Sequence, residues 1–306
     1  MSFALLCPGQ SAQSADMLER LRGNDAAEAI FSAFYQVVGT HLHDVMSDPG
    51  RLYDNAVAQP ILCAVEMAAF AALRERLAQP LAIAGYSIGE LAAYGCAGAI
   101  SPADVIRLAR QRAEAMDQAS SEEGGMLAVR GLREQVLTPL CDTFDASVAI
   151  RNGPDRFVVA TSAANLERLA PALERAGAHT TRLSVKIASH SPLMASAVPV
   201  FRRALQQVTF QDPPIPVLAG IDGGFVRSRE RAIEVLSAQL AQTVDWAACL
   251  AGLREGGCSA TLELLPGKDL TAMAQAELPE FACRAMAEFR SLDGVVTWVS
   301  RHCEPL

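Results

Sequence analysis

Short apolar runs alternate with longer stretches of helical period through the first part of this chain. Ser2 to Cys7 is a continuous apolar run closed by Pro8-Gly9, which predicts a buried first strand ending in a turn. Pro80-Leu81-Ala82-Ile83-Ala84-Gly85 predicts another short buried strand, and residues 89–96 read as the start of a helix. Ser101-Pro102-Ala103-Asp104 supplies an N-cap, a first-turn proline and an acidic third position, so a further helix begins there. Strands alternating with helices over residues 1–123 predict a mainly parallel sheet covered by helices.

The pattern changes from about Gly124. Met126–Leu132 reads as a strand, Arg133–Thr143 as a helix, and Ala146–Arg151 and Arg156–Thr161 as strands around Asn152-Gly153-Pro154-Asp155. A helix at Ala163–Ala176 and a strand at Thr180–Val185 complete a strand-helix-strand-strand-helix-strand order, the ferredoxin-like arrangement. More α/β elements follow: a strand near Pro214–Ala219, helices at Glu230–Leu240 and Ala247–Glu255, a strand at Thr261–Leu265 and a closing helix at Leu292–His302. The expected class is therefore α/β, with a large domain formed by residues 1–123 and 187–306. A small ferredoxin-like subdomain, residues 124–186, is inserted in it.

Composition narrows the function classes. The chain has 306 residues, 51% hydrophobic and 20% charged, which is enough apolar material for a large core. A formal charge of −8 without a basic run argues against a nucleic-acid partner. No uninterrupted run of 18 apolar residues predicts a membrane span, and the opening residues lack the leader of a secretory signal, so a cytoplasmic location is expected. The eight cysteines form no Cys-x-x-Cys pair, and Cys7, Cys63, Cys96 and Cys249 sit in apolar surroundings. Reduced thiols are expected here, not disulfides or a zinc site.

The chemistry concentrates in three places. Gly85-Tyr86-Ser87-Ile88-Gly89-Glu90 lies between a predicted strand and a predicted helix, the form of a nucleophile elbow. Small flanking residues permit a sharp turn that projects Ser87, and the helix behind it favours developing negative charge. A serine nucleophile needs a base. Of five histidines, His190 follows an apolar strand where the chain returns from the small subdomain, and its neutral imidazole could take the Ser87 proton. On the helix after Ser101, Val105, Leu108, Ala109, Arg112 and Met116 share one stripe, which puts Arg112 on the apolar face. Such an arginine either snorkels, pairs with a buried carboxylate or awaits an anionic ligand. A backbone N–H of the Pro8-Gly9-Gln10-Ser11-Ala12-Gln13 loop, together with that of Ile88, could form an oxyanion hole.

Taken in order, these motifs resemble the malonyl-CoA:acyl carrier protein transacylases along nearly the whole chain. The matching segments are Pro8-Gly9-Gln10, Gln59-Pro60, Gly85 to Glu90, Arg112 within residues 111–116, Asn152-Gly153-Pro154, Ser189-His190, Gln239 ahead of Trp246, and Pro266-Gly267-Lys268. The resemblance implies an α/β-hydrolase-like core, a ferredoxin-like subdomain and a cleft between them. It further implies Ser87 and His190 as a catalytic dyad, with a backbone carbonyl near Gln239 orienting the imidazole. Arg112 would hold the acyl carboxylate by two parallel hydrogen bonds. Gln10, Ile88, Gln59, Ser189 and Gln239 would line the substrate site. Malonyl-CoA would be the donor, a phosphopantetheine-type thiol on an acyl carrier protein the acceptor, and no bound cofactor or metal would be needed.

The chain departs from the family pattern at Tyr86, which replaces a histidine, at Leu265, which replaces a glycine, and at Lys186-Ile187 before Ala188-Ser189-His190. Ile88 goes with malonyl donors, whereas the Ala188-Ser189-His190 segment leaves room for a methylmalonyl branch; malonyl is the favoured reading. Tyr86, residues 242–246 and residues 289–294 resemble transacylases associated with malonate decarboxylase, whose carrier is a decarboxylase subunit. Two other classes share these features. A serine thioesterase would use the same Ser-His pair with water as acceptor, and a non-catalytic carrier-binding subunit would retain the fold alone.

Overall fold

Phe3–Cys7 is apolar on both faces, and in the computed structural model, which describes residues 2–10, 13, 17–47, 52–120 and 123–302, both faces are covered. This strand, β1, is followed by β2 (Ala82–Gly85), β3 (Gly124–Arg130), β4 (Ser147–Gly153), β5 (Arg156–Ser162) and β6 (His179–Arg182). Then come β7 (Val217–Leu218), β8 (Phe225–Val226), β9 (Val244–Asp245), β10 (Ala260–Glu263) and β11 (Ala282–Ala285). One sheet has the order β11-β10-β1-β2-β7-β8. Its pairs are parallel except the last, β7 with β8. Phe3 and Leu5 pack on one side with Ile61, Leu91 and Leu108, while Ala4 and Leu6 pack on the other with Trp246, Leu250 and Leu270. Burial on both faces is why these strands read as unbroken apolar runs.

The second sheet has the order β6-β3-β5-β4-β9. Its first four strands are antiparallel and carry the helices Glu134–Thr143 and Ala163–Arg175, which is the ferredoxin-like arrangement. Leu127, Val129, Val159, Leu137, Leu169 and Leu173 form the core between this sheet and its helices. The fifth strand, β9, comes from later in the chain and pairs parallel with β4, Ile150 opposite Val244. The two crossings into and out of this region meet: a Cβ added to Gly124 would lie 2.6 Å from the Ala188 nitrogen.

Several element ends differ from expectation. The strand expected at Met126–Leu132 runs instead over Gly124–Arg130, because Gly131 turns the chain with a positive φ of 94°. The strand expected over Thr180–Val185 runs over His179–Arg182; the Leu183 N–H still donates to the Met126 oxygen at 3.0 Å, and Leu183 and Val185 pack against the core shared with the large sheet. The apolar stretch near 214–219 contributes only the two residues of β7. The helix Asn55–Arg74 is long and apolar enough to cross a membrane, yet 83% of its most apolar window is buried inside the protein. Cys7, Cys63, Cys96 and Cys249 are buried free thiols.

Candidate active site

The two central strands bring the first pieces together. β1 and β2 run side by side with Cys7 opposite Gly85, so the Pro8-Gly9-Gln10 turn lies beside Tyr86-Ser87-Ile88. A Cβ on Gly85 would stand 2.2 Å from the Glu90 nitrogen, and one on Gly89 2.2 Å from the Cys7 carbonyl oxygen. The glycines flanking Ser87 are thus demanded by close backbone approach. Ser87 itself has φ 56° and ψ −114°, outside the ordinary regions for a residue with a side chain. Such a conformation costs on the order of 1–3 kcal/mol and persists because the surrounding packing dictates it. Ile88 opens the helix Ile88–Cys96, so its N–H has no acceptor within that helix. Gln10 is half-buried at the neighbouring turn; Ser11 and Ala12 of the same loop lie outside the described residues.

His190 reaches the serine from across the chain. Its Nε2 lies 2.8 Å from Ser87 Oγ, and its Nδ1 lies 2.6 Å from the backbone oxygen of Gln239. A carbonyl only accepts, so Nδ1 carries the proton and Nε2 presents its lone pair to the serine hydroxyl. The backbone N–H of His190 donates to the Leu240 oxygen at 2.9 Å, so the 239–240 segment holds the residue at two points. His190 also has a positive φ of 59° and is 2% exposed. Burial, reinforced by the Arg112 charge, lowers its pKa to about 4, with the Gln239 carbonyl acting in the opposite direction. The imidazole is therefore neutral near pH 7, as a base must be. The other four histidines, His41, His43, His179 and His302, belong to other parts of the fold.

Arg112 is 2% exposed on the helix Pro102–Ala119 and does not snorkel. Its Nη1 donates to Gln59 Oε1 at 2.8 Å and its Nη2 faces Gln239 Oε1 at 3.5 Å. Both partners are neutral amides, and among the described residues no ion pair engages this guanidinium. Burial pulls its pKa down to about 10, which still leaves it charged at neutral pH. Gln239 is the hub: its Nε2 donates to Glu90 Oε2 at 2.8 Å while its backbone oxygen orients His190. Ser87, His190, Gln239, Arg112 and Gln59 thus form one hydrogen-bonded chain. Ser189 is buried next to His190, and Ile88 is buried at the start of its helix.

Two contacts were not read from the sequence. Glu90, the last residue of the elbow motif, is fully buried and accepts from both Gln239 and the Gly220 N–H at 3.0 Å. Tyr86, noted only as a departure, donates its hydroxyl to Asn152 Oδ1 at 3.1 Å and sets its ring edge-on to Trp246. It ties the nucleophile turn to β4 of the smaller sheet. The motif positions of Tyr86, Glu90 and Asn152 were the available signal, but pairing partners 66 or 149 residues apart leave no local pattern.

An elbow serine paired with a neutral histidine that a backbone carbonyl orients, on a mainly parallel sheet with a ferredoxin-like attachment, defines a serine acyl-transfer enzyme. A buried cation beside that pair suits an acyl group that is itself anionic. The profile of the acyl transferase domain family matches residues 4–288, and the chain belongs to that family. The malonyl CoA-acyl carrier protein transacylase of Mycobacterium bovis is 33% identical over 300 residues, covering 95% of this chain and 98% of the relative. The crystal structure of the Mycobacterium tuberculosis MCAT superposes with a TM-score of 0.90 at 33% identity, covering 97% of this chain and 100% of that one. A malonyl-transacylase solved in complex with its type II polyketide acyl-carrier protein superposes with a TM-score of 0.92 at 28% identity, covering 97% and 99%.

Proposed function

We propose that this chain transfers a malonyl group from malonyl-CoA, through an ester on Ser87, to the phosphopantetheine-type thiol of an acyl carrier protein. The observation that carries this reading is Arg112, a buried guanidinium whose hydrogen-bond partners among the described residues are neutral amides, joined through Gln239 to the Ser87–His190 pair. Ser87 Oγ attacks the thioester carbonyl as His190 Nε2 takes the hydroxyl proton. The N–H of Ile88, with one from the Gln10 loop, stabilises the tetrahedral oxyanion. Collapse breaks the carbon–sulfur bond, and His190 returns its proton to the departing CoA sulfur. The carrier thiol then gives its proton to His190 and attacks the ester, and Ser87 is reprotonated as it leaves.

Gln59 and Gln239 hold Arg112 for the free carboxylate, and Ser189 and Ile88 bound the acyl group. Residues 1–123 and 187–306 form the catalytic domain, residues 124–186 the subdomain, and the substrate arm enters between them. The reaction is cytoplasmic, and the similarity of residues 242–246 and 289–294 to decarboxylase-associated transacylases supports a malonate decarboxylase subunit as the carrier. Mass spectrometry after incubation with malonyl-CoA should find one malonyl group on the peptide containing Ser87, and none in Ser87→Ala. Labelling that survives that substitution would overturn the mechanism. Release of malonate to water at the same rate with and without carrier would assign a thioesterase instead.

A further inference from the structure

Among the described residues Glu90 is the one acidic side chain bonded directly to Gln239, the residue whose backbone oxygen orients His190, and no step of the acyl transfer uses it. It sits on the first turn of the helix behind Ser87, with no solvent exposure. Its Oε2 accepts from Gln239 Nε2 at 2.8 Å and from the Gly220 N–H at 3.0 Å, while Oε1 has no hydrogen-bond partner among the described residues. Burial pushes its pKa up to about 8, so near neutral pH it is mainly the neutral acid, with Oε2 accepting both bonds. A fully buried acidic side chain is still costly to keep, so its place needs a reason beyond packing.

That reason lies in Gln239. An arginine has only donors, so the Gln239 oxygen must face Arg112 and its NH2 must face away. On that side the acceptor is Glu90. Arg112 at one end and the Glu90 oxygen at the other therefore fix together which way the amide points. Gln239 follows directly on the helix Arg229–Ala238, and its backbone oxygen is what fixes the His190 tautomer. A Gln239 side chain free to rotate would loosen the same residue's carbonyl and, with it, the imidazole.

We propose that Glu90 is a positioning residue of the acyl-transfer site, its buried carboxyl oxygen anchoring the far end of the Gln239 amide and through it both His190 and Arg112. This rests on the Ser87–His190 acylation reading, and the test separates the two. Wild-type enzyme is first titrated for acylatable Ser87, and the single-turnover rate is measured with malonyl-CoA and with acetyl-CoA; no labelling of wild type would sink the acylation reading itself.

Given labelling, Glu90→Ala should slow acylation at saturating donor by about tenfold to a hundredfold, the scale of a misplaced catalytic group. The malonyl rate should fall further than the acetyl rate, because Arg112 loosens along with His190. Glu90→Gln keeps one oxygen able to accept both bonds and should recover most of the rate. In a Gln239→Ala background, Glu90→Ala should cost no more than about twofold, since the link is already gone. Should Glu90→Ala not give folded protein, Glu90→Asp, whose carboxylate is withdrawn by one methylene, takes its place with the same expected non-additivity. Independent, additive losses for positions 90 and 239 would overturn the assignment. So would equal losses with both donors accompanied by an equally impaired Glu90→Gln, because a purely structural residue behaves that way.

Discussion

Arg112 and His190 affect each other because both are buried in one site. The guanidinium helps hold the imidazole pKa near 4, well below the usual histidine value. A protonated imidazole cannot accept the Ser87 proton, so acylation is lost as pH falls through that value and is flat above it with respect to this group. kcat/KM for malonyl loading, which reports the free enzyme, should therefore hold from neutral pH to about pH 5 and fall below it. Arg112→Ala removes a neighbouring positive charge, so the acid limb should move to higher pH. The same variant should cost malonyl transfer about 2–5 kcal/mol, the effect of removing one partner from a buried charge pair. Acetyl transfer has no carboxylate to lose and should be unchanged or improved. Equal losses for both acyl groups, read from paired rate measurements, would make Arg112 a structural residue.

The elbow is a property of the β1–β2 pair and the helix that follows, and it fails as a unit. The Gly89 Cα lies against the Cys7 and Pro8 carbonyls, so a methyl group there would stand 2.2 and 2.5 Å from those oxygens. Neither oxygen can yield, because both belong to backbone at the centre of the molecule. Gly89→Ala should force the helix away from β1, lowering stability by about 1–3 kcal/mol in chemical denaturation, as overpacking does. It should also displace Ile88 N–H from the oxyanion and remove most of the acylation rate in whatever protein remains folded. A variant with wild-type stability and activity would show that the close approach is dispensable. The amphipathic helix Pro102–Ala119 was readable from spacing alone, since its stripe of Val105, Leu108, Ala109, Arg112 and Met116 is the buried face.

At the scale of the molecule, a chain of charge −8 repels an acidic carrier at long range, so docking of such a carrier needs a local basic patch. Lys186 and Arg203 are exposed on either side of His190 in the chain, whereas Arg202 is engaged by its Nε with Ser237 Oγ at 3.2 Å. Reversing Lys186 and Arg203 to Glu should weaken transfer to the carrier protein and flatten its dependence on salt. Transfer to free pantetheine, which needs no protein docking, should stay near the wild-type rate. Parallel loss with both acceptors would place the damage in the cleft and not in docking.

What could be read from the sequence was whatever a few neighbouring residues decide. The Gly85 to Gly89 turn is steric, the strand-helix order of residues 124–182 is periodic, and the placement of Arg112 on an apolar stripe follows from 3.6 residues per turn. His190 stood out by its position at the return from the smaller sheet. Tertiary structure alone decided the contacts that make these parts a site. It set Gln239 between Arg112 and Glu90, joined Tyr86 to Asn152, and added β9 to a sheet built from residues far earlier in the chain. Those pairings depend on where separate strands and helices come to rest against one another. A hydrogen bond between residues 149 apart leaves no periodicity behind it, and only the folded chain brings its two ends within reach.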